Sequence, residues 1–141
     1  MTRNKVEPKK VGNREEAIHE LEEFILNHLK YDDNFVVIRM VISQQTPMNS
    51  EKEIKMNAAM SRKLSDAFRH GIRSEDYVGK LAEQEYLMII KDNNPANGIL
   101  VANRLSRIVS DMTNGQYIGR TYVTPYQNGD NTSTLMERLL H

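Results

Sequence analysis

Apolar residues recur along the chain in two different periods, and the switches between them mark out its elements. In "NREEAIHELEEFILNHLKY", Ile18, Leu21, Ile25 and Leu29 fall at helical spacing with Phe24 beside them. Asn13 is placed to cap this helix, and Glu15 and Glu16 complement the positive end of its dipole. The stripe is narrow. It either docks on the rest of the chain or pairs with a second copy as a short coiled coil, and about two to three heptads do not decide between them. "NFVVIRMVIS" (34–43) is apolar and β-branched at nearly every position, the pattern of a central strand covered on both faces.

The remaining elements follow from the same periods. After the loop "QQTPMN", Ser50 is placed to cap a helix running to about Arg69, with Ile54, Ala58, Leu64 and Phe68 on one face and Gly71 at its end. "DYVGKL" and "EYLMII" are strands joined by a hairpin with "AEQ" at its tip. Pro95 starts a helix carrying Ile99, Leu100, Ala102, Leu105, Ile108, Val109 and Met112, stopped by Asn114 and Gly115. "QYIGRTYVT" is a strand, "PYQNGDN" a turn and "TSTLMERLL" a last helix. Without its first and last helices the order is β-α-β-β-α-β, the split plan of a ferredoxin-like α+β sandwich with a mostly antiparallel central sheet. The expected organisation is a flexible arm over 1–13, an amphipathic linker or dimerisation helix over 14–31, and one folded domain over 32–141.

Composition narrows the function. The 141 residues carry 19 Lys and Arg against 19 Asp and Glu, so no global field draws the chain toward nucleic acid or a membrane surface. Any anion has to be held locally. The absence of cysteine excludes disulfides, thiolate metal sites and cysteine nucleophiles, and fits a reducing cytoplasm. No apolar run reaches the roughly 18 residues of a membrane span, and "MTRNKVEPKK" lacks the apolar core of a secretory signal. No nucleophile elbow or comparable hydrolase motif is present.

The stretch "RSEDYVGKLAEQEYLMII" (73–90) resembles the signature region of the GGDEF family, the diguanylate cyclases that condense two GTP into cyclic di-GMP. The family pattern is R-x-x-D, five residues, G-G-[DE]-E-F, then an apolar strand. Here Arg73 and Asp76 are followed by "YVGKL", "AEQEY" and "LMII". Carried upstream without a gap, the frame sets the family's D-x-D-x-F-K-x-I-N-D on "VISQQTPMNS", with Asn49 on its asparagine. Downstream, "YVTPYQNGDNTSTLMERLL" is similar to the family's last strand, turn and helix, so the resemblance spans about residues 33–140 and implies the nucleotide-cyclase palm.

The resemblance also implies a damaged catalytic centre. The carboxylates that hold magnesium in the family fall on Val41 and Ser43 in the first strand and on Gln84 at the tip, and only Glu85 keeps an acid. Ala82 and Glu83 replace the two glycines, Tyr86 the phenylalanine, Thr46 the lysine, and Ala58 an aspartate that helps read guanine. No magnesium or other cofactor is expected. Arg73 and Asp76, by contrast, match the family's product-binding inhibitory site, and Arg104 falls where a second arginine commonly completes it. The resemblance therefore implies a catalytically inactive receptor for cyclic di-GMP, acting through a protein partner or a homodimer. The alternatives are a ligand-free interaction or dimerisation domain and, more remotely, an active cyclase with unusual metal ligands.

Plainer readings stand beside these. Arg73 and Asp76 make an ordinary ion pair where a strand begins, Asn49 is a loop residue or near-cap, and Glu83 and Glu85 belong to a solvated hairpin tip. His19, His28, His70 and His141 have no ligand-like spacing and are assigned to the surface, and the eight methionines to packing.

Overall fold

In the computed structural model, which describes residues 11–45 and 56–141, every residue from Phe35 to Ile38 is buried. They open β1 (Phe35–Gln44), which pairs antiparallel with β3 (Glu85–Lys91) on one side and β4 (Tyr117–Pro125) on the other. β2 (Tyr77–Ala82) pairs antiparallel with β3, giving one four-stranded sheet in the order β2-β3-β1-β4. That is the split βαβ sheet the element order predicts.

Alternation along β1 divides the core in two. Ile38, Met40 and Ile42 point to the layer formed by α2 (Ala58–His70) and α3 (Pro95–Met112), meeting Leu64, Phe68, Leu105 and Val109. Phe35 and Val37 point the other way, to α1 (Arg14–Tyr31) and α4 (Thr132–Arg138), meeting Ala17, Leu21 and Leu135. α1 therefore docks on the sheet. Its start is held by the predicted Asn13 cap in a reciprocal box with Glu16, and Gly12, just before it, bridges to Gly79 on β2.

Several sequence expectations shift. The buried face of α1 runs through Ala17, Leu21 and His28 with Phe24 and Ile25, while Leu29 is 70% exposed. His28 is buried rather than superficial. Its Nδ1 lies 2.9 Å from the Asp33 carbonyl and its ring packs 4.4 Å from that of Tyr126, so a polar side chain is satisfied inside an apolar layer. α2 starts at Ala58 behind an Asn57 cap, and Ala58 is exposed. The proposed Ser50 cap and Ile54 lie outside the described residues. On α3, Ile99 and Leu100 are exposed, because Gly98 and Ala102 are the positions that face β1.

Two local contacts have measurable consequences. A methyl group on Gly98 would sit 2.4 Å from Val36 Cγ1 and 2.9 Å from its Cβ. Overpacking of this kind costs roughly 1–3 kcal/mol, more than the ~1 kcal/mol that alanine adds in helix propensity. Gly98→Ala should therefore lower urea stability, and Val36→Ala should relieve the loss in a double-mutant cycle. At the other end of the fold, Arg138 grips Asp130 through two hydrogen bonds and donates to Thr124 Oγ1 at 2.7 Å, tying α4 to the loop before it. Arg138 first, and then the Gln127 and Thr134 donors, hold the Asp130 carboxyl below its ordinary range against the opposing effect of burial. A depressed folded pKa stabilises above the unfolded value of about 3.9, and that stability is lost as pH falls through the folded value. The parent's advantage over Asp130→Asn should be constant above about pH 5 and should shrink on further acidification, as urea melts across pH will measure.

Candidate functional site

The hairpin tip is built from a two-residue turn, Glu83 and Gln84, closed by the Ala82–Glu85 pair. Gln84 adopts a left-handed φ of 58°, which costs a non-glycine residue about 1 kcal/mol. Three hydrogen bonds hold it there. Its carbonyl accepts from Ile42 N–H at 2.8 Å, its Nε2 donates to the Ile42 carbonyl at 2.9 Å, and its Oε1 accepts from Met56 N–H at 3.3 Å. The side chain on the family's metal position thus bridges β1 to the backbone just before α2.

Glu85, the acid retained from the signature, is engaged elsewhere. It sits opposite Val41 on the β1–β3 ladder and takes Arg39 Nε at 2.7 Å, with both side chains mostly buried. Arg39 also reaches the Leu139 carbonyl at the end of α4 and lies 5.3 Å over the Tyr122 ring. Tyr86 is buried on the opposite face, its ring 5.0 Å from Phe68 and its hydroxyl 2.8 Å from Ser65 Oγ. Ala82 and Glu83 are exposed, Val41 and Ser43 half-buried, and Asn49 and Thr46 lie outside the described residues. Magnesium demands several hard oxygen ligands. Val41, Ser43 and the engaged Gln84 amide do not make such a set, and among the described residues no three His, Asp or Glu side chains converge as metal ligands.

The second region is the connection from α2 to β2. Asp76 is 5% exposed. Its Oδ1 accepts from Lys91 N–H at 2.8 Å, and its Oδ2 accepts from Arg73 N–H at 3.1 Å and Arg73 Nε at 3.3 Å. One carboxylate therefore joins the start of β2 to the end of β3 and sets the direction of Arg73. The Arg73 side chain is 52% exposed, and its Nη2 donates to the Lys91 carbonyl and lies 3.8 Å from Asp92. The charge of Asp76 chiefly raises its pKa. Arg104, on the exposed side of α3, donates to the Gly71 carbonyl, so both arginines meet the same short connection.

A cleft of about 310 Å³ beside Arg73 is lined by Asp33, Asn34, Glu75, Lys91 and Asp92. Its two cations face three carboxylates. Asp92 was not singled out from the sequence. Its carboxyl is kept below the ordinary range mainly by Asn94 N–H and the Asn97 side chain, with Arg73 a smaller cause. The available signal was "DNNP", an acid two residues before a capping asparagine and proline.

The burial of Asp76 separates it from its exposed partner. Asp76→Ala leaves buried N–H groups without an acceptor and should cost about 3 kcal/mol, whereas Arg73→Ala removes an exposed side chain and should cost under about 1 kcal/mol. Equal and small losses in urea melts would make the pair an ordinary surface contact.

No family model and no curated protein matches the sequence, but solved structures match the fold. The GGDEF domain of DgcB from Caulobacter crescentus, solved with cyclic di-GMP, aligns at TM-score 0.77 and 13% identity over 99% of this chain and 88% of that one. The FimX GGDEF domain from Pseudomonas aeruginosa gives 0.76 and 12% over 92% and 85%. A GGDEF-only form of TpbB (YfiN), also from Pseudomonas aeruginosa, gives 0.74 and 12% over 90% and 78%. Identities this low speak for architecture alone. With its antiparallel β2-β3-β1-β4 sheet, two helices on each face and α1 leading into β1, the chain has the α+β nucleotide-cyclase palm of the GGDEF domains.

Proposed function

We propose that this domain is a receptor for cyclic di-GMP without cyclase activity, and that Arg73 and Arg104 are its guanine-reading groups. The observation that supports it best is that both guanidinium groups are held by backbone carbonyls, Arg104 on Gly71 just after α2 and Arg73 on Lys91 at the end of β3, and both remain exposed. An arginine so oriented can meet the O6 and N7 acceptors of guanine or stack on its face. Asp76 takes a supporting role, because its two oxygens already accept three hydrogen bonds from the chain. It positions Arg73. The surrounding carboxylates argue for recognition by directed hydrogen bonds, since the local field does not favour a dianion. Cyclase chemistry lacks its metal ligands at Val41 and Gln84, and Glu85 is tied to Arg39. The occupied oxygens of Asp76 and the acidic lining of the cleft also favour a second reading, a scaffold that binds a protein partner or its own copy without ligand.

Calorimetry separates the two. Cyclic di-GMP should bind the parent, and Arg73→Ala and Arg104→Ala should each weaken it at least about tenfold, as expected for loss of a charge-assisted contact. An absence of heat at ligand concentrations of tens of micromolar would leave the scaffold reading standing. Incubation with GTP and magnesium should yield no cyclic di-GMP.

A further inference from the structure

α1 docks on the sheet through Ala17, Leu21 and His28, yet it also carries apolar residues on the side turned away from the sheet. Leu26 is 58% exposed and lies near the middle of that outer face, and Leu29, three residues on, is more exposed still. Single leucines in water are ordinary on a protein surface. These two are neighbours on one helix, and Leu26 and Ile25 also supply the apolar lining of a cleft of about 390 Å³ between α1 and Asn131 and Thr132 at the start of α4.

The charges around the two leucines are incompletely matched within the chain. Glu23 has His19 at 3.7 Å, one turn before it. Among the described residues no ion pair includes Glu22 or Lys30, and the Lys30 ammonium has the exposed ring of Tyr31 at 5.3 Å. Glu22 and Lys30 stand on the same outer face, eight residues and therefore about 12 Å apart along the axis, too far to pair with each other. Leu26 is midway between them. A second copy laid antiparallel across this face, on a twofold axis at Leu26, sets Glu22 of each copy beside Lys30 of the other. Leu26 then meets Leu26, and Leu29 meets the stem of Glu23. A parallel pairing does the reverse, placing Glu22 against Glu22 and Lys30 against Lys30, and like charges so placed repel.

We infer that the outer face of α1 joins two copies of this chain, packed antiparallel about Leu26 as an isologous pair. Glu22 and Lys30 set the direction, and the cleft beside Ile25 receives Leu26 of the other copy. The contact is one helix wide and falls below the roughly 1,200 Å² of stable interfaces, so the pair forms with a dissociation constant in the range of about 10–500 µM. It uses neither Arg73 nor Arg104 and is independent of cyclic di-GMP binding.

Sedimentation of the intact protein without ligand, from about 10 µM to 1 mM, should show a reversible monomer–dimer equilibrium. Leu26→Glu, at an exposed position, should leave the circular dichroism and urea midpoint of the monomer in place and abolish the dimer. Glu22→Lys and Lys30→Glu should each weaken association about fivefold or more, the effect of turning exposed ion pairs into like-charge contacts, and the chain carrying both should regain the parent's affinity. Direction is read by cross-linking, which is clean because the chain has no cysteine. Glu22→Cys mixed with Lys30→Cys should be joined by a short bis-maleimide faster than either variant alone. A monomer at every concentration overturns the inference, as does a dimer that Leu26→Glu leaves intact. Failure of the double exchange to restore association, or Glu22→Cys cross-linking to itself faster than to Lys30→Cys, overturns the antiparallel pairing.

Discussion

β1 has to be buried on both faces, and the rest of the architecture answers that need. Its residues from Phe35 to Ile38 are apolar on each side of the pleat, so a single helical layer would leave half of them in water. α2 and α3 cover one face, α1 and α4 the other, and β3 and β4 satisfy its two edges. With six neighbours fixed, the free end of β1 is the place where the sheet can present chemistry. In this chain that end is closed instead. Gln84 bonds back to Ile42, and Val41 packs beside the Arg39–Glu85 pair. The same constraint that makes the fold robust thus converts a place for metal ligands into a structural joint.

Asp76 plays a comparable part at the opposite end of β2. A carboxylate with so little exposed surface has to be matched by donors, or it would destabilise the fold by several kcal/mol. The chain supplies Lys91 N–H, Arg73 N–H and Arg73 Nε. Since the first belongs to β3 and the others to the α2–β2 connection, the match closes the sheet and aims Arg73 in one step. Stability and candidate function therefore share this residue. Substitutions at Asp76 will mix the two, and Arg73 and Arg104, whose side chains are exposed, are the positions where they come apart.

Strong local patterns carried most of the fold. β1, the hairpin, the Asn13 cap and the proline start of α3 are each specified within a few residues, and the structure keeps them. The misreadings arose where tertiary contact decides. Leu29 fits an apolar stripe at helical spacing and Ile99 and Leu100 an apolar run, yet small residues elsewhere on each helix approach the sheet, Ala17 on α1 and Gly98 and Ala102 on α3. His28 is buried because a carbonyl from Asp33 and the ring of Tyr126 happen to meet it, and neither partner is signalled by its own position. For the candidate site, residue types and spacing located Arg73, Asp76 and Arg104. They could not say which groups would be engaged by the chain itself.

Glu85 makes the wider point about reading function from retained residues. Its position in the signature and its acidity are both kept, and by those measures it is the best-preserved part of the tip. Its chemistry depends on what lies within about 3 Å. Arg39 at 2.7 Å neutralises it, holds it against the sheet and links it to the end of α4. Opposite it, Val41 offers no oxygen with which to share a cation. An ion pair this enclosed is strongly destabilised by loss of one partner, so Glu85 would be retained for stability even with no catalytic demand. A carboxylate in a signature position is thus weak support for catalysis until the groups facing it are known. An arginine like Arg73, exposed and directed by a buried acid, is the stronger pointer, because the fold gains little from leaving it there.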